Sequence, residues 1–65
     1  MHEHVTFIRD MVRPIIAQGR VVDVEHCGAV VAERFSDLNR SQTKDLILEI
    51  VAAYGGSAVW GERSS

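Results

Sequence analysis

The side chains best suited to chemistry in this 65-residue chain are its three histidines and its single cysteine. His2 and His4 stand in the stretch "HEH", and His26 and Cys27 are neighbours. Imidazole and thiolate groups are the usual ligands of zinc, which takes about four of them in a tetrahedral site. However, residues two apart lie on different sides of a helix, and this spacing matches no zinc-binding motif. We therefore predict no metal site and no cofactor.

The same residues do not assemble into a catalytic pattern. The sequence shows no Ser-His-Asp set, no paired carboxylates and no glycine-rich phosphate loop, and Gly55-Gly56 is typical of a helix end. Cys27 is expected to behave as a small buried hydrophobe. His4 falls at the edge of an apolar helix face, and His26 falls on a polar one. The sequence thus predicts that the protein is not an enzyme.

A second candidate site is the polar stretch "NRSQTK", residues 39–44, which follows a short turn. Arg, Gln and Lys side chains bind base edges and phosphates, and Ser and Thr hydroxyls bond to either. The candidate nucleic-acid contacts are Arg40, Ser41, Gln42, Thr43 and Lys44. A net charge of −2 argues mildly against a protein that holds a polyanion, although one basic face is sufficient.

The order of elements around this stretch has a counterpart among DNA-binding proteins. From Gly19 to Trp60 it is an extended segment, a helix, a turn, a longer helix and a second extended segment. This order resembles a helix-turn-helix, and in particular the core of a winged-helix DNA-binding domain without its wing. The resemblance implies that the helix from Asn39 is a recognition helix. Pairing of residues 20–24 with 57–60 as strands would strengthen it.

The stretch "RFSDLNRSQTKDLI" also resembles the first-turn region of ubiquitin-binding CUE domains. In that family a Phe-Pro pair precedes an aspartate-capped helix, whereas here a serine follows Phe35 and the cap is Asn39. This second resemblance implies that the same corner can bind protein as readily as DNA.

The first segment, about residues 3–18, reads as an amphipathic helix. Its apolar residues recur at the i, i+3, i+4 and i+7 spacing of one face, namely Val5, Ile8, Met11, Val12, Ile15 and Ile16. Pro14 removes a helix hydrogen bond at a cost of about 3 kcal/mol. Because the apolar phase continues past Pro14, which falls on the polar face, we expect one helix kinked there and ended by Gly19.

The start of the second segment, about residues 24–35, can be interpreted in two ways. Val22 and Val24 alternate with acidic residues as in a strand, whereas Asp23 is also a good N-cap for a helix from Val24. We favour the helix, preceded by a few extended residues. Gly28 costs it about 1 kcal/mol relative to alanine. Together with Ala32 it leaves a flat groove that another helix could approach closely.

The third segment, about residues 39–54, is predicted to be a helix that Gly55 ends. Asn39 and Gln42 have the spacing of a capping box. The apolar residues cover more than half of the helix circumference, and they are Leu46, Ile47, Leu48, Ile50, Val51 and Tyr54. A helix with so wide an apolar arc is either the central element of the fold or buries a second face against another chain.

The expected fold is therefore mainly α, with one small three-helix domain over residues 1–60 and a polar, frayed tail at residues 61–65. A content of 46% hydrophobic and 25% charged residues is typical of a folded domain. The apolar run "LILEIVAAY" is too short to span a membrane. Cys27 has no intramolecular partner and the first residues lack the layout of an export signal, so we expect a cytoplasmic protein.

A chain of this size buries only about 60% of its unfolded surface and usually needs a staple, a metal or a partner. We expect a non-enzymatic regulatory or adaptor protein that acts by protein–protein contact, as a homodimer with the third helix at or near the interface. Trp60 is either a lid on the core or an exposed anchor for a partner. The candidate interface residues are Phe7, Leu48, Val51, Tyr54 and Trp60. The alternative function is a compact helix-turn-helix DNA-binding regulator that uses the start of the third helix.

Overall fold

A computed structural model describes residues 2–60; Met1, the side chain of His2 and residues 61–65, including the predicted tail, lie outside this part. The elements in chain order are α1 (His2–Ala17), β1 (Val22–Asp23), α2 (Val24–Arg34), α3 (Arg40–Ala53) and β2 (Ala58–Val59). The predicted three-helix fold is confirmed, with each helix end within one residue of its expected position. None of the described helices has the length and apolar character needed to cross a bilayer.

α1 continues through Pro14 as one helix, as the apolar phase predicted. Pro14 is exposed, so its ring and its missing donor lie on the side of α1 away from the core. The helix ends where Gly19 adopts a left-handed conformation with a φ of 72°. The N–H of Arg20 then donates to the carbonyl of Ile15 at 3.0 Å, which satisfies one of the free carbonyls at the helix end.

Side-chain caps fix the starts of the other two helices. The carboxylate of Asp23 accepts a hydrogen bond from the N–H of His26 at 3.2 Å, so α2 begins as a capped helix. At α3, the Asn39 side chain accepts from the Gln42 N–H at 2.8 Å. The Gln42 side chain in turn accepts from the Asn39 N–H at 3.1 Å and completes the predicted capping box. A cap of this kind stabilises a helix by about 1 kcal/mol.

All three helices and β1 contribute to one hydrophobic core. Its buried members are Ile8, Val12, Val22, Val24, Cys27, Val31, Ile47, Ile50 and Val51. α3 packs against both α1 and α2, so its wide apolar arc is used within the chain and α3 is the central element. Tyr54 departs from the predicted arc, because it caps the end of α3 and is exposed. The arc therefore no longer argues for a dimer interface on α3.

The two extended segments pair as a small parallel sheet. Val22 lies beside Ala58, and Asp23 lies beside Val59. The N–H of Val22 donates to the carbonyl of Ser57 at 2.9 Å. This pairing settles a point that the sequence left open, and it carries the residues that follow α3 to the start of α2.

The connection from α3 to β2 passes very close to α1. Gly55, with a φ of 71°, ends α3, and the N–H of Gly56 donates to the carbonyl of Val51 at 3.0 Å. A Cβ atom on Gly56 would lie 2.7 Å from Cγ1 of Ile16. Real Cβ atoms do not approach so closely, so glycine is needed here to let the chain pass α1.

We expect Gly56→Ala to lower the free energy of unfolding by about 1–3 kcal/mol, since Ile16 is β-branched and cannot easily swing away. Gly28→Ala is the matched control. Its Cβ would lie 3.8 Å from Cγ2 of Thr43, an ordinary contact, so the gain in helix propensity should raise stability by about 1 kcal/mol. Urea unfolding of the two variants measures both effects. Equal stabilities would contradict the close approach of Gly56.

Candidate functional site

The described residues form a groove of about 570 Å³ between α2 and the first two turns of α3. We call it the α2–α3 groove, and its floor and walls are formed chiefly by Gly28, Ala29, Ala32, Thr43, Lys44 and Trp60. Its volume falls in the range of sites that hold small molecules or anchoring side chains. It is open along one side to solvent, as expected for the predicted flat surface along Gly28 and Ala32.

The groove exists because α2 presents almost no side-chain volume on this face. Gly28, Ala29 and Ala32 carry at most one methyl group, so nothing fills the space beside α3. Thr43 lines the groove from α3 and is 3% exposed. Its hydroxyl donates to the carbonyl of Asn39 at 2.9 Å, which leaves its methyl group to face α2. The floor is therefore apolar although it contains a threonine.

Trp60 forms one wall of the groove. It reaches this place because β2 pairs with β1, which directly precedes α2. Nζ of Lys44 lies 5.3 Å from the centre of the indole ring, a cation–π contact of about 0.5–1 kcal/mol at an exposed site. Trp60 as a residue remains 40% exposed. Trp60 is thus partly held against the chain and partly free, between the two roles that the sequence allowed.

Charged residues of both signs stand along the groove. Arg40 lies at the end where residues 35–39 join α2 to α3, because it is the first residue of α3. Glu25 lies in the first turn of α2, toward the opposite end. Lys44 and Asp45 also line the groove, and Lys44 lies beside Trp60. The Arg40 end therefore presents a cation, whereas the remainder of the groove carries charges of both signs.

The five candidate nucleic-acid contacts differ in the exposure and the bonding of their side chains. Arg40 and Ser41 are exposed and their side chains form no hydrogen bond within the described residues. The side-chain oxygen of Gln42 is used in the capping box, and the ammonium group of Lys44 is held over an indole ring. Thr43 is buried with its hydroxyl bonded to its own helix, so it cannot contact a nucleic acid and is withdrawn from the set.

The candidate protein-interface residues also differ in their surroundings. Val51 is 2% exposed and belongs to the core, so it is withdrawn, because a helical period cannot distinguish a core position from an interface position. Leu48 is half-buried against the same core. Tyr54 and Trp60 keep large exposed surfaces. Phe7, the fifth residue, is half-buried in a contact within the chain.

An aromatic cluster joins α1 to the end of α2. The Phe35 ring is met edge-on by the rings of His4 and Phe7, with centroids 4.5 and 5.4 Å away. The Arg34 guanidinium lies 5.7 Å from the Phe35 ring centre. Nε2 of His4 lies 3.4 Å from a carboxylate oxygen of Asp37. His4 was expected at the edge of the apolar face, and its burial confirms this, whereas no sequence signal linked it to a residue so distant in the chain.

Cys27 is 1% exposed, which confirms its predicted role as a small core residue. Burial, with a smaller contribution from the nearby carboxylate of Asp23, raises the pKa of the Cys27 thiol above its ordinary value of 9.0. The thiol is therefore neutral at physiological pH and a poor nucleophile. His26 is exposed on α2. Among the side chains that the structure describes, which do not include that of His2, no three ligating groups lie close enough together to hold a metal ion.

Comparison with known proteins adds no relative: no family model, curated protein or solved structure matches this chain. The resemblances to winged-helix and CUE domains stay predictions. The α2–α3 groove and the exposed side chains around it are therefore the observations from which a function can be proposed.

We expect the native Cys27 thiol to react with iodoacetamide at pH 8 at least about tenfold more slowly than in the urea-unfolded chain, because it is buried and protonated.

The raised pKa of the Cys27 thiol also affects the stability of the fold. The contribution of the thiol is fully present below pH 9.0 and is lost as the pH rises further, since the unfolded chain ionises first. Cys27→Ala should show a smaller fall in unfolding free energy between pH 8 and 10 than the parent chain. Equal slopes would contradict the raised pKa.

Proposed function

We propose that this chain is a non-enzymatic regulatory or adaptor protein that binds an amphipathic helix of a partner protein in the α2–α3 groove. The observation that carries the proposal is the groove itself, with its floor of Gly28, Ala29 and Ala32 beside the exposed indole of Trp60. Small floor residues let a partner helix approach closely, and the indole offers a large flat contact of the kind that dominates interface energies. Helix-in-groove binding of this type is a common mode of peptide recognition.

The side chains that line the groove indicate which residues a partner helix should carry. The apolar floor suits a stripe of small and aliphatic side chains at helical spacing. Arg40 at one end favours a helix with an acidic residue at that end, whereas Glu25 and Lys44 offset each other elsewhere in the lining. The exposed charge of Arg40 contributes more to the direction of binding and to the association rate than to affinity.

The proposal is tested with a panel of synthetic amphipathic helices that differ in the bulk of the apolar stripe and in which end carries an acidic residue. Backbone amide NMR and Trp60 fluorescence should place binding in the groove, with a preference for the peptides whose acidic residue meets Arg40. Ala29→Leu, which fills the floor, should weaken binding by about tenfold, or ~1.4 kcal/mol. Ala53→Leu is the matched control, because Ala53 is exposed on α3 outside the groove. The proposal is wrong if no peptide shifts the groove residues, or if both variants weaken binding equally.

A second candidate function is DNA binding by the start of α3. It is supported by the helix-turn-helix order, by the pairing of β1 with β2 and by the exposed side chains of Arg40 and Ser41. It is opposed by the exposed carboxylates of Asp37 and Asp45, which flank the same surface and repel phosphate. We therefore rank it second.

An NMR titration with a short mixed-sequence duplex at low salt distinguishes the two candidates. On the groove proposal, residues 39–45 show no shifts that weaken as salt is raised. If such shifts do cluster there, Arg40→Ala should lower DNA affinity and reduce the slope of its salt dependence by about one. That result would replace the groove proposal with the DNA-binding one.

A further inference from the structure

Trp60 is the single tryptophan of the chain, and it forms part of the wall of the α2–α3 groove. The face of an indole ring attracts cations more strongly than the face of any other aromatic side chain. Arginine side chains in addition stack well on such rings. Taken alone, a tryptophan that is 40% exposed in a groove is therefore a receptor for a lysine or arginine of a partner.

In this chain a cation already lies over the ring. Nζ of Lys44 is 5.3 Å from the centre of the Trp60 indole, within the distance of about 6 Å at which a cation–π attraction acts. Lys44 belongs to α3 and lines the same groove as Trp60. The cation at this ring is thus supplied by the chain itself, before any partner binds.

The charge of Lys44 is not neutralised at contact distance. Among the side chains that the structure describes, the one ion pair joins His4 to Asp37, so no carboxylate is paired with the Lys44 ammonium. Glu25 and Asp45 line the groove and offset this charge only at longer range. Because the energy between charges falls with distance, a second cation brought to the ring meets the ammonium first.

The stem of Lys44 adds apolar surface at the same wall. Its Cα lies in α3 and its ammonium lies over the indole, so its methylene groups extend from the helix toward the ring. Lysine stems commonly cover apolar surface in this way while the charged end stays in water. The wall therefore offers methylene groups and an indole to a side chain that carries no charge.

We propose that Lys44 determines which partner side chain can pack on Trp60. With the ammonium over the ring, the groove accepts an uncharged aliphatic or aromatic side chain at this wall and rejects lysine and arginine. Like charges placed side by side in an interface repel, and specificity is often obtained through such a repulsive element. This inference rests on the proposed function and names the groove residue that selects among partner helices.

Fluorescence quenching tests the charge beside Trp60 without a partner, because the chain has no other tryptophan. Caesium is a cationic quencher and acrylamide is a neutral one, so the ratio of their quenching constants at fixed ionic strength reports local charge separately from exposure. Lys44→Met removes the charge and keeps the length of the side chain. It should raise the ratio of the caesium constant to the acrylamide constant by about twofold or more. Lys44→Arg should keep the parent ratio.

Arg13→Met is the matched control for this measurement. It removes the same charge from an exposed position of α1 that is outside the groove, so the ratio should stay at its parent value. Equal ratios in Lys44→Met and the parent chain would overturn the inference. An equal rise in Lys44→Met and Arg13→Met would do so too, because the effect would then come from net charge alone.

Peptide binding tests the selectivity itself. Two amphipathic helices from the panel are compared that differ only at the residue that NMR locates beside the indole, with leucine in one and arginine in the other. The parent chain should prefer the leucine peptide, and Lys44→Met should lower this preference by about fivefold. An unchanged preference would contradict the role of Lys44 although the groove binds. If neither peptide binds, the proposed function is wrong, and the quenching ratio alone decides the assignment of Lys44.

Discussion

The burial of α3 on two sides is the constraint on which the rest of this structure depends. A chain of 65 residues with no disulfide can bury only a small hydrophobic core. Ile47 and Val51 are buried in that core and place α3 at its centre. Because α3 packs against both α1 and α2, each of these helices needs only one apolar face. The route out of α3 must then pass α1, which explains why the chain has glycine beside Ile16.

The helices could be predicted because their signals are local. Asn39 and Gln42 are three residues apart, and each helix end depends on side chains within one turn of it. Gly19 and Gly55 likewise adopt the left-handed conformation that their positions suggested. A helical period identifies an apolar face, but it does not say which neighbour covers that face. For this reason Val51 was assigned to an interface and lies in the core.

The groove could be predicted only in part, because it combines three distant parts of the chain. Gly28 and Ala32 indicated its floor, since small residues on one helix face leave space. Its Trp60 wall depends on the pairing of two strands of two residues each, which are too short to show a period. The contact of Lys44 with Trp60 follows from this pairing, whereas that of His4 with Asp37 follows from the packing of α1 beside the turn between α2 and α3. No local spacing encodes either of them.

The floor of the groove contains a residue, Gly28, that lowers the stability of the helix in which it lies. Gly28 lies inside α2, where alanine would be favoured by about 1 kcal/mol, and the space beside it accepts a Cβ at an ordinary contact distance. Gly56 differs, because there the packing itself demands glycine. A residue that lowers stability without a packing reason is expected mainly at functional sites. In a protein with so small a core, glycine at position 28 therefore supports the groove proposal over the proposal that the start of α3 binds DNA.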